Sequence, residues 1–359
     1  MKKYVIAFFL LMFSFQHAQD KIRDVLTLSE YLGYVKRYHP IVKQANLTIN
    51  KSAAKLLKAR GAFDPKIEID FDKKRFKENH YYTHLNGSFK IPTWYGIALK
   101  ANFEQNEGLY LNPENQGSID GLYTAGIEVS LARGLLTNNR MTTLKQAKLF
   151  LNQAKEEQQI AVNKILYNAS LSYFKWLKSY HEKRVFDSFL NNAKRRFKGT
   201  KRAYEEGAKP AIDTLEAGIT LNSRRLNLEK ARIQLVQSSL ELSTYLWLNE
   251  NTPIELKETI IPDLKTFDTI DRTFNIALFH DENFDIEQHP KIKALGFKIK
   301  SLAVNRRLKM NNLLPKVDVQ YQFISPNSMQ INAFNTNNYK AGINFSMPLF
   351  VRKERGAIA

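Results

Sequence analysis

"HPIVKQANLTINKSAAKLLKARGAFDPKIEIDF", His39 to Phe71, is matched 250 residues later by "HPKIKALGFKIKSLAVNRRLKMNNLLPKVDVQY", His289 to Tyr321. The two stretches align without a gap. His39 and His289 coincide, as do Pro40 and Pro290, Lys43 and Lys293, Ile49 and Ile299, Ala53 and Ala303, Pro65 and Pro315, and Lys66 and Lys316. Apolar character is kept at Val42/Ile292, Leu47/Phe297, Ile67/Val317, Ile69/Val319 and Phe71/Tyr321. A second pair, "YTAGIEVS" (Tyr123 to Ser130) and "YKAGINFS" (Tyr339 to Ser346), follows at an offset of 216, so the first copy holds 34 more residues between its matched blocks. Two ordered matches of this kind indicate an internal duplication.

Each copy opens as a helix. Proline suits the first helical turn, where its missing N–H costs nothing, and Ala45, Ile49, Ala53 and Leu56 or Leu57 recur at three- and four-residue spacing. Pro65 and Pro315 end the helices, because the residue before proline avoids helical geometry. The period then becomes two. Ile67, Ile69 and Phe71 alternate with Glu68, Asp70 and Asp72; Ile97, Leu99, Ala101 and Phe103 and then Tyr123, Ala125, Ile127 and Val129 alternate in the same way. Copy two repeats this at Val317, Val319, Tyr321 and Phe323 and at Tyr339, Ala341, Ile343 and Phe345. Such strands carry one apolar and one polar face. They fit either a half-buried soluble sandwich or a barrel with lipid outside and water inside. Tyr81, Tyr82, Trp94, Tyr95 and Tyr110 near the strand ends fit an interfacial aromatic girdle.

Between the copies lies a helical stretch without proline from about Asn139 to Glu206, roughly 100 Å if continuous. Val162, Leu166, Ala169, Tyr173, Leu177 and Tyr180 recur at coiled-coil spacing along it. "YEEGAKPAIDTLEA" (Tyr204 to Ala217) reverses the chain: Gly207 suits positive φ at a helix C-terminus, and Pro210 opens the next helix. That helix is expected to reach about Leu248, with Leu228, Ala231, Leu235, Leu242 and Leu246 along its seam. A hairpin of this length spans a distance rather than fills a core.

The N-terminus adds a compartment. Lys2 and Lys3 precede an apolar run from Tyr4 to Phe15 and then "HAQD", the pattern of a signal peptide over residues 1–19. The competing reading is a buried N-terminal helix. The run is shorter than the ~20 residues that cross a bilayer, and no later stretch reads as a transmembrane helix. The 359 residues contain no Cys, so no disulfide stabilises the exported chain. With 54 Lys and Arg against 35 Asp and Glu, the formal charge is +19. An exported chain rarely meets nucleic acid, so none is expected as a partner. The tightest cluster, "KRRFK" (Lys194 to Lys198), reads as a solvated helix face.

Signs of an enzyme are missing from the sequence. The seven His are scattered, and neither a phosphate loop nor a nucleophile elbow is present. No catalytic, cofactor-binding or metal residue is assigned. "HDENFDIEQH" (His280 to His289) reads as a polar linker, with weak metal binding as the lesser reading.

Duplicated helix-to-strand units with paired prolines, a long helical hairpin and a signal peptide together resemble the TolC-like outer membrane efflux family. The turn, with Gly207, Asp213, Leu215 and Ala217, is similar to that family's Gly-x-x-x-x-x-Asp-x-Leu-x-Ala pattern. The resemblance implies an α+β membrane protein with long antiparallel coiled-coil helices and amphipathic strands contributing to a trimeric outer-membrane β-barrel. On it, residues 20–264 form the first repeat, with barrel strands over about 66–131 and the hairpin over about 139–248. Residues 265–359 form an incomplete second repeat, with a helix over about 290–313 and strands over about 316–348. His39, Pro40, Pro65, His289, Pro290 and Pro315 mark the repeat. The implied activity is passive conduction in a tripartite efflux or type I secretion system, without cofactors. The implied partners are two further copies (a homotrimer), a periplasmic adaptor (membrane fusion) protein, an inner-membrane pump and outer membrane lipid. The helices would stand in the periplasm of a Gram-negative cell, and the tip at Glu205, Glu206, Gly207, Asp213 and Leu215 would meet the adaptor.

Two departures from the family stand out. The extra 34 residues, around "FKIPTWYGIALKANFEQ", read as an added strand pair or as a long extracellular loop; the pair would give roughly eighteen strands per trimer against the family's roughly twelve. Copy two stops at Ala359, where its own hairpin is due, so the chain reads as a truncated member lacking about 100 residues by analogy with copy one. The family's constricting acidic ring commonly lies in that part, so no gate residue is assigned. The rival readings are a non-transporting trimeric coiled-coil surface protein or adhesin, and a soluble periplasmic coiled-coil adaptor.

Overall fold

A computed structural model describes residues 25–111, 120–274, 285–326 and 336–358. The expected signal peptide and residues 280–284 of the His- and acid-rich segment lie outside them. In chain order the elements are β1 (Val25–Leu26), α1 (Leu28–Tyr38), α2 (Pro40–Arg60), β2 (Lys66–Phe76), β3 (Asn79–Pro92), β4 (Ile97–Glu107), β5 (Leu122–Ser130), α3 (Asn139–Glu205) and α4 (Ala211–Ser243). There follow β6 (Ile261–Pro262), α5 (Thr266–Phe274), α6 (Pro290–Asn311), β7 (Lys316–Ser325), β8 (Tyr339–Ser346) and α7 (Arg352–Gly356). They form two compact units, each built from separate chain segments: Met1–Ala45 with Ile160–Asp285, and Asn46–Gln159 with Ile286–Ala359.

The first unit is helical. Its core joins Leu28, Tyr31 and Val35 of α1 to Ile165, Ala169, Tyr173, Trp176 and Leu177 of α3 and to Leu242 and Leu246. Of the expected α3 seam, Ala169, Tyr173 and Leu177 are buried, with Ala169 and Tyr173 fully shielded, while Val162, Leu166 and Tyr180 are half-buried; Ile165 and Trp176 complete the buried side. Tyr173 ties the unit together: its hydroxyl donates to the Leu26 carbonyl (2.8 Å) and accepts from the Asp263 N–H (3.3 Å). Those two bonds hold the short parallel pair β1–β6 over the core. α1, which has no counterpart in the repeat's sequence pattern, is capped by Thr27, whose Oγ1 accepts from the Glu30 N–H at 3.2 Å. α4 stops at Ser243, five residues short of Leu248. There the Ser243 hydroxyl turns back to the Ser239 carbonyl and accepts from the Leu256 N–H, and Trp247 bridges to Pro253.

The second unit holds a six-stranded sheet in the order β2-β3-β4-β5-β7-β8, antiparallel at every pairing. The segment around "FKIPTWYGIALKANFEQ" is the end of β3, a turn and β4, so it is a strand pair and not a loop. Below the sheet, Leu56 and Ala59 of α2 pack on Leu144 and Ala147 of α3, beside Phe63, Trp94 and Leu151. Asn138 caps α3 through the Met141 N–H (2.9 Å) while its amide donates to the Trp94 carbonyl (3.1 Å). The two proline-led helices begin alike: His39 Nδ1 accepts from the Ile41 N–H and His289 Nδ1 from the Lys291 N–H, both at 3.2 Å. The strands that follow them begin at Lys66 and Lys316, one residue after Pro65 and Pro315.

Candidate functional site

Register decides how the sheet's side chains are sorted. Cross-strand partners share a face, so the pairings Ile67↔Phe89, Phe89↔Ala101, Ala101↔Ala125, Ala125↔Phe323 and Phe323↔Tyr339 run one row across all six strands. The neighbouring rows on that face contain Leu99, Ile127, Tyr321 and Ala341, then Ile97, Val129, Val319 and Ile343. Across these rows the face is apolar and open: Ile67 is 73% exposed, Phe71 61% and Ile343 76%; towards the β2–β3 turn the same face carries Lys73, Thr83, Gln105 and Glu107. A continuous exposed apolar surface of this kind marks contact with lipid or protein.

The opposite face is polar and internally paired. Glu128 of β5 takes an ion pair from Lys100 of β4 and a second from Lys90 of β3 at 3.3 Å. Asp318 of β7 accepts from the Ser130 hydroxyl and pairs with Lys316, both at 2.7 Å. His84 and Asn106 are 2.7 Å apart. Gly126 permits the β5–β7 approach, since a Cβ there would sit 2.0 Å from the Tyr321 carbonyl oxygen. Aromatic rings gather at both ends: Tyr81 stacks on Tyr110 (4.6 Å) near the β2–β3 turn, and Phe63 stacks on Trp94 (5.6 Å) at the other end.

In the helical unit, the turn residues Glu205, Glu206, Gly207 and Asp213 come together. Gly207 has φ +78°. Its N–H donates to the Tyr204 carbonyl (2.9 Å) and the Ala208 N–H to that of Ala203 (2.8 Å), the paired bonds that close a helix at a left-handed residue. Pro210 stands just before α4 as its cap, and Lys209 pairs with Asp213 at 3.4 Å. Glu205, Glu206 and Gly207 are exposed. Leu215, 60% exposed, stands apart from them on the face of α4 that leaves the core. In "KRRFK", Lys194, Arg195, Arg196 and Lys198 are exposed and Phe197 is half-buried.

α4 carries a second seam that the sequence reading missed. Leu228, Ala231 and Leu242 line its buried side. On the other side Ile212, Leu215, Ile219, Leu226, Ile233, Val236 and Leu240 fall on one alternating three–four spacing and are 49–62% exposed. The three–four spacing of this outer seam is legible in the residues themselves. Among the described residues, no helix is long and apolar enough to cross a membrane, and no cluster of His, Asp and Glu could hold a metal.

Residues 96–246 match the family model described as outer membrane efflux protein. Among solved structures, the fold resembles the CmeC outer membrane channel of Campylobacter jejuni, with a TM-score of 0.54 at 13% identity over 92% of this chain. It likewise resembles the outer membrane protein VceC of Vibrio cholerae, with a TM-score of 0.55 at 11% identity over 92% of this chain and 71% of that one. A membrane protein from Pseudomonas aeruginosa scores 0.54 at 13% identity, over 92% of this chain and 68% of the other. The chain spans 63% of the length of the Campylobacter channel. No curated protein sequence matches it.

Proposed function

We propose, from the match of residues 96–246 to the outer membrane efflux protein model, that this chain contributes to a passive TolC-like outer membrane channel of a tripartite efflux or type I secretion system. The observation that carries the reading is the apolar face shared by six antiparallel strands. Water penalises that surface and a bilayer core does not, and strands of 8 to 14 residues suit a membrane. β2 and β8 are the sheet's two edges. Unpaired edge groups are costly in lipid, so the edges must be closed by further strands. Pairing β2 of one copy with β8 of the next, three copies in all, gives a closed barrel with the Glu128 and Asp318 networks facing water. The matched elements starting at Pro40 and Pro290, and at Lys66 and Lys316, support descent of the sheet from a duplicated unit.

On this reading the helices stand in the periplasm, the exposed α4 seam receives another helix of the assembly, and the turn at Glu205, Glu206, Gly207 and Asp213 with Leu215 meets a periplasmic adaptor protein served by an inner-membrane pump. Planar-bilayer recording of the purified chain, with its mass measured in detergent, tests the proposal. Discrete conductance steps from a trimer are expected. A detergent-independent, water-soluble monomer without conductance would overturn it.

A further inference from the structure

The end of the sheet where β2 and β7 begin and β5 finishes is rich in cations. α2 delivers Lys55 and Lys58 there, the start of α3 delivers Arg140 and Lys145, and the last turns of α6 deliver Arg306 and Arg307. None of these six makes an ion pair among the described residues. Three of them, Lys55, Lys58 and Arg140, line one groove of about 500 Å³, with the buried Ala59 and Ala147 as an apolar floor and the exposed Phe150 beside them. Arg140 is also positioned from the sheet side. Its guanidinium lies 5.9 Å from the Phe63 ring centre and 3.5 Å from the Thr93 carbonyl, and its Nε is buried without a hydrogen-bond partner. Lys145 sits 5.8 Å from the centre of the Trp94 ring, which stacks on Phe63.

We infer that this groove binds the headgroup of an anionic phospholipid of the leaflet nearest the helices, with Arg140, Lys55 and Lys58 on the phosphate and the apolar floor under the start of an acyl chain. The inference rests on the membrane reading of the sheet. Charge complementarity and position select the ligand. Unpaired cations next to a lipid-facing surface attract anionic headgroups, and a Trp–Phe pair beside them suits the interface between headgroups and hydrocarbon. Arginine presents donors in a fork that matches two phosphate oxygens.

The full chain is reconstituted in vesicles of phosphatidylcholine alone and of phosphatidylcholine with phosphatidylglycerol in equal parts. Spin-labelled forms of each lipid then report how much of each is immobilised on the protein. Phosphatidylglycerol is expected to be enriched over phosphatidylcholine, the enrichment falling towards parity as salt is raised. Arg140→Gln should lower it about fivefold at low salt, and Lys55→Gln with Lys58→Gln further. Lys55→Arg with Lys58→Arg, which keeps the charge, should leave it in place and controls for folding. Insertion into both vesicles with no lipid preference overturns the inference and leaves the membrane reading standing. Enrichment that survives all three glutamine substitutions overturns the assignment of the groove. Failure to enter either vesicle overturns both.

Discussion

Replacing Gly207 by alanine isolates one physical quantity at the helical turn. Gly207 has φ +78°, and a Cβ built on it has no atom within 4 Å. Crowding therefore adds nothing, and the whole cost is the left-handed backbone, about 1–2 kcal/mol for a residue with a Cβ. Gly199 is the internal control. It lies inside α3 at ordinary helical geometry, and a Cβ there also meets nothing. Gly199→Ala should stabilise by roughly 0.5–1 kcal/mol through the lost freedom of the unfolded chain. The two substitutions add the same methyl to open space about 12 Å of helix rise apart (about 1.5 Å per residue) and should act with opposite sign. Hydrogen exchange at the Ala208 amide, which donates to the Ala203 carbonyl, reports the turn directly. Gly207→Ala should speed it by about 5- to 30-fold if exchange follows local opening. Unchanged exchange in Gly207→Ala, or destabilisation by both variants, would show that the closing geometry at Gly207 does not hold the turn.

Other perturbations read other parts of the chain. Tyr173→Phe removes the phenol from the Leu26 carbonyl and the Asp263 N–H, which keep their bond to each other at 3.3 Å; a loss of about 0.5–1.5 kcal/mol is expected in thermal unfolding of the helices. His39 is buried, its Nδ1 accepts from the Ile41 N–H, and desolvation holds its pKa below the ordinary value of 6.5. With the folded value below the unfolded one, its contribution is present above pH ~6.5 and is lost as pH falls through the lowered value. The melting temperature should fall on acidification, and His39→Asn, which keeps a capping acceptor, should lessen that fall. In the sheet, Gly126→Ala drives a Cβ against the Tyr321 carbonyl oxygen. Separation of β5 from β7 should cost about 1–3 kcal/mol, measurable as a lower temperature for loss of folded mobility in gel electrophoresis.

Much of this architecture was readable in the residues, for a local reason. Alternation at Ile67–Ile69–Phe71 and at Val317–Val319–Tyr321 dictates which side chains share a face, because successive residues of a strand point to opposite sides whatever the partner. Gly207 and Pro210 likewise announce a reversal, since their backbone preferences act without help from the rest of the chain. Helix α1 escaped notice despite its Thr27 cap, because its value lies in packing Tyr31 and Val35 against distant Tyr173 and Leu242. The pairing of β5 with β7, which joins Ser130 to Asp318 across 188 positions, was also beyond local reading.

By itself, then, the amino-acid order determined periods, breaks and caps, which are properties of a few neighbouring residues. Only the tertiary structure decided that five separate alternations and β3 fall in one register as a single sheet with an apolar face, and that α4 buries one seam while leaving the other open. Both depend on contacts between segments far apart in the chain, where many pairings satisfy the same local pattern and only mutual packing selects among them.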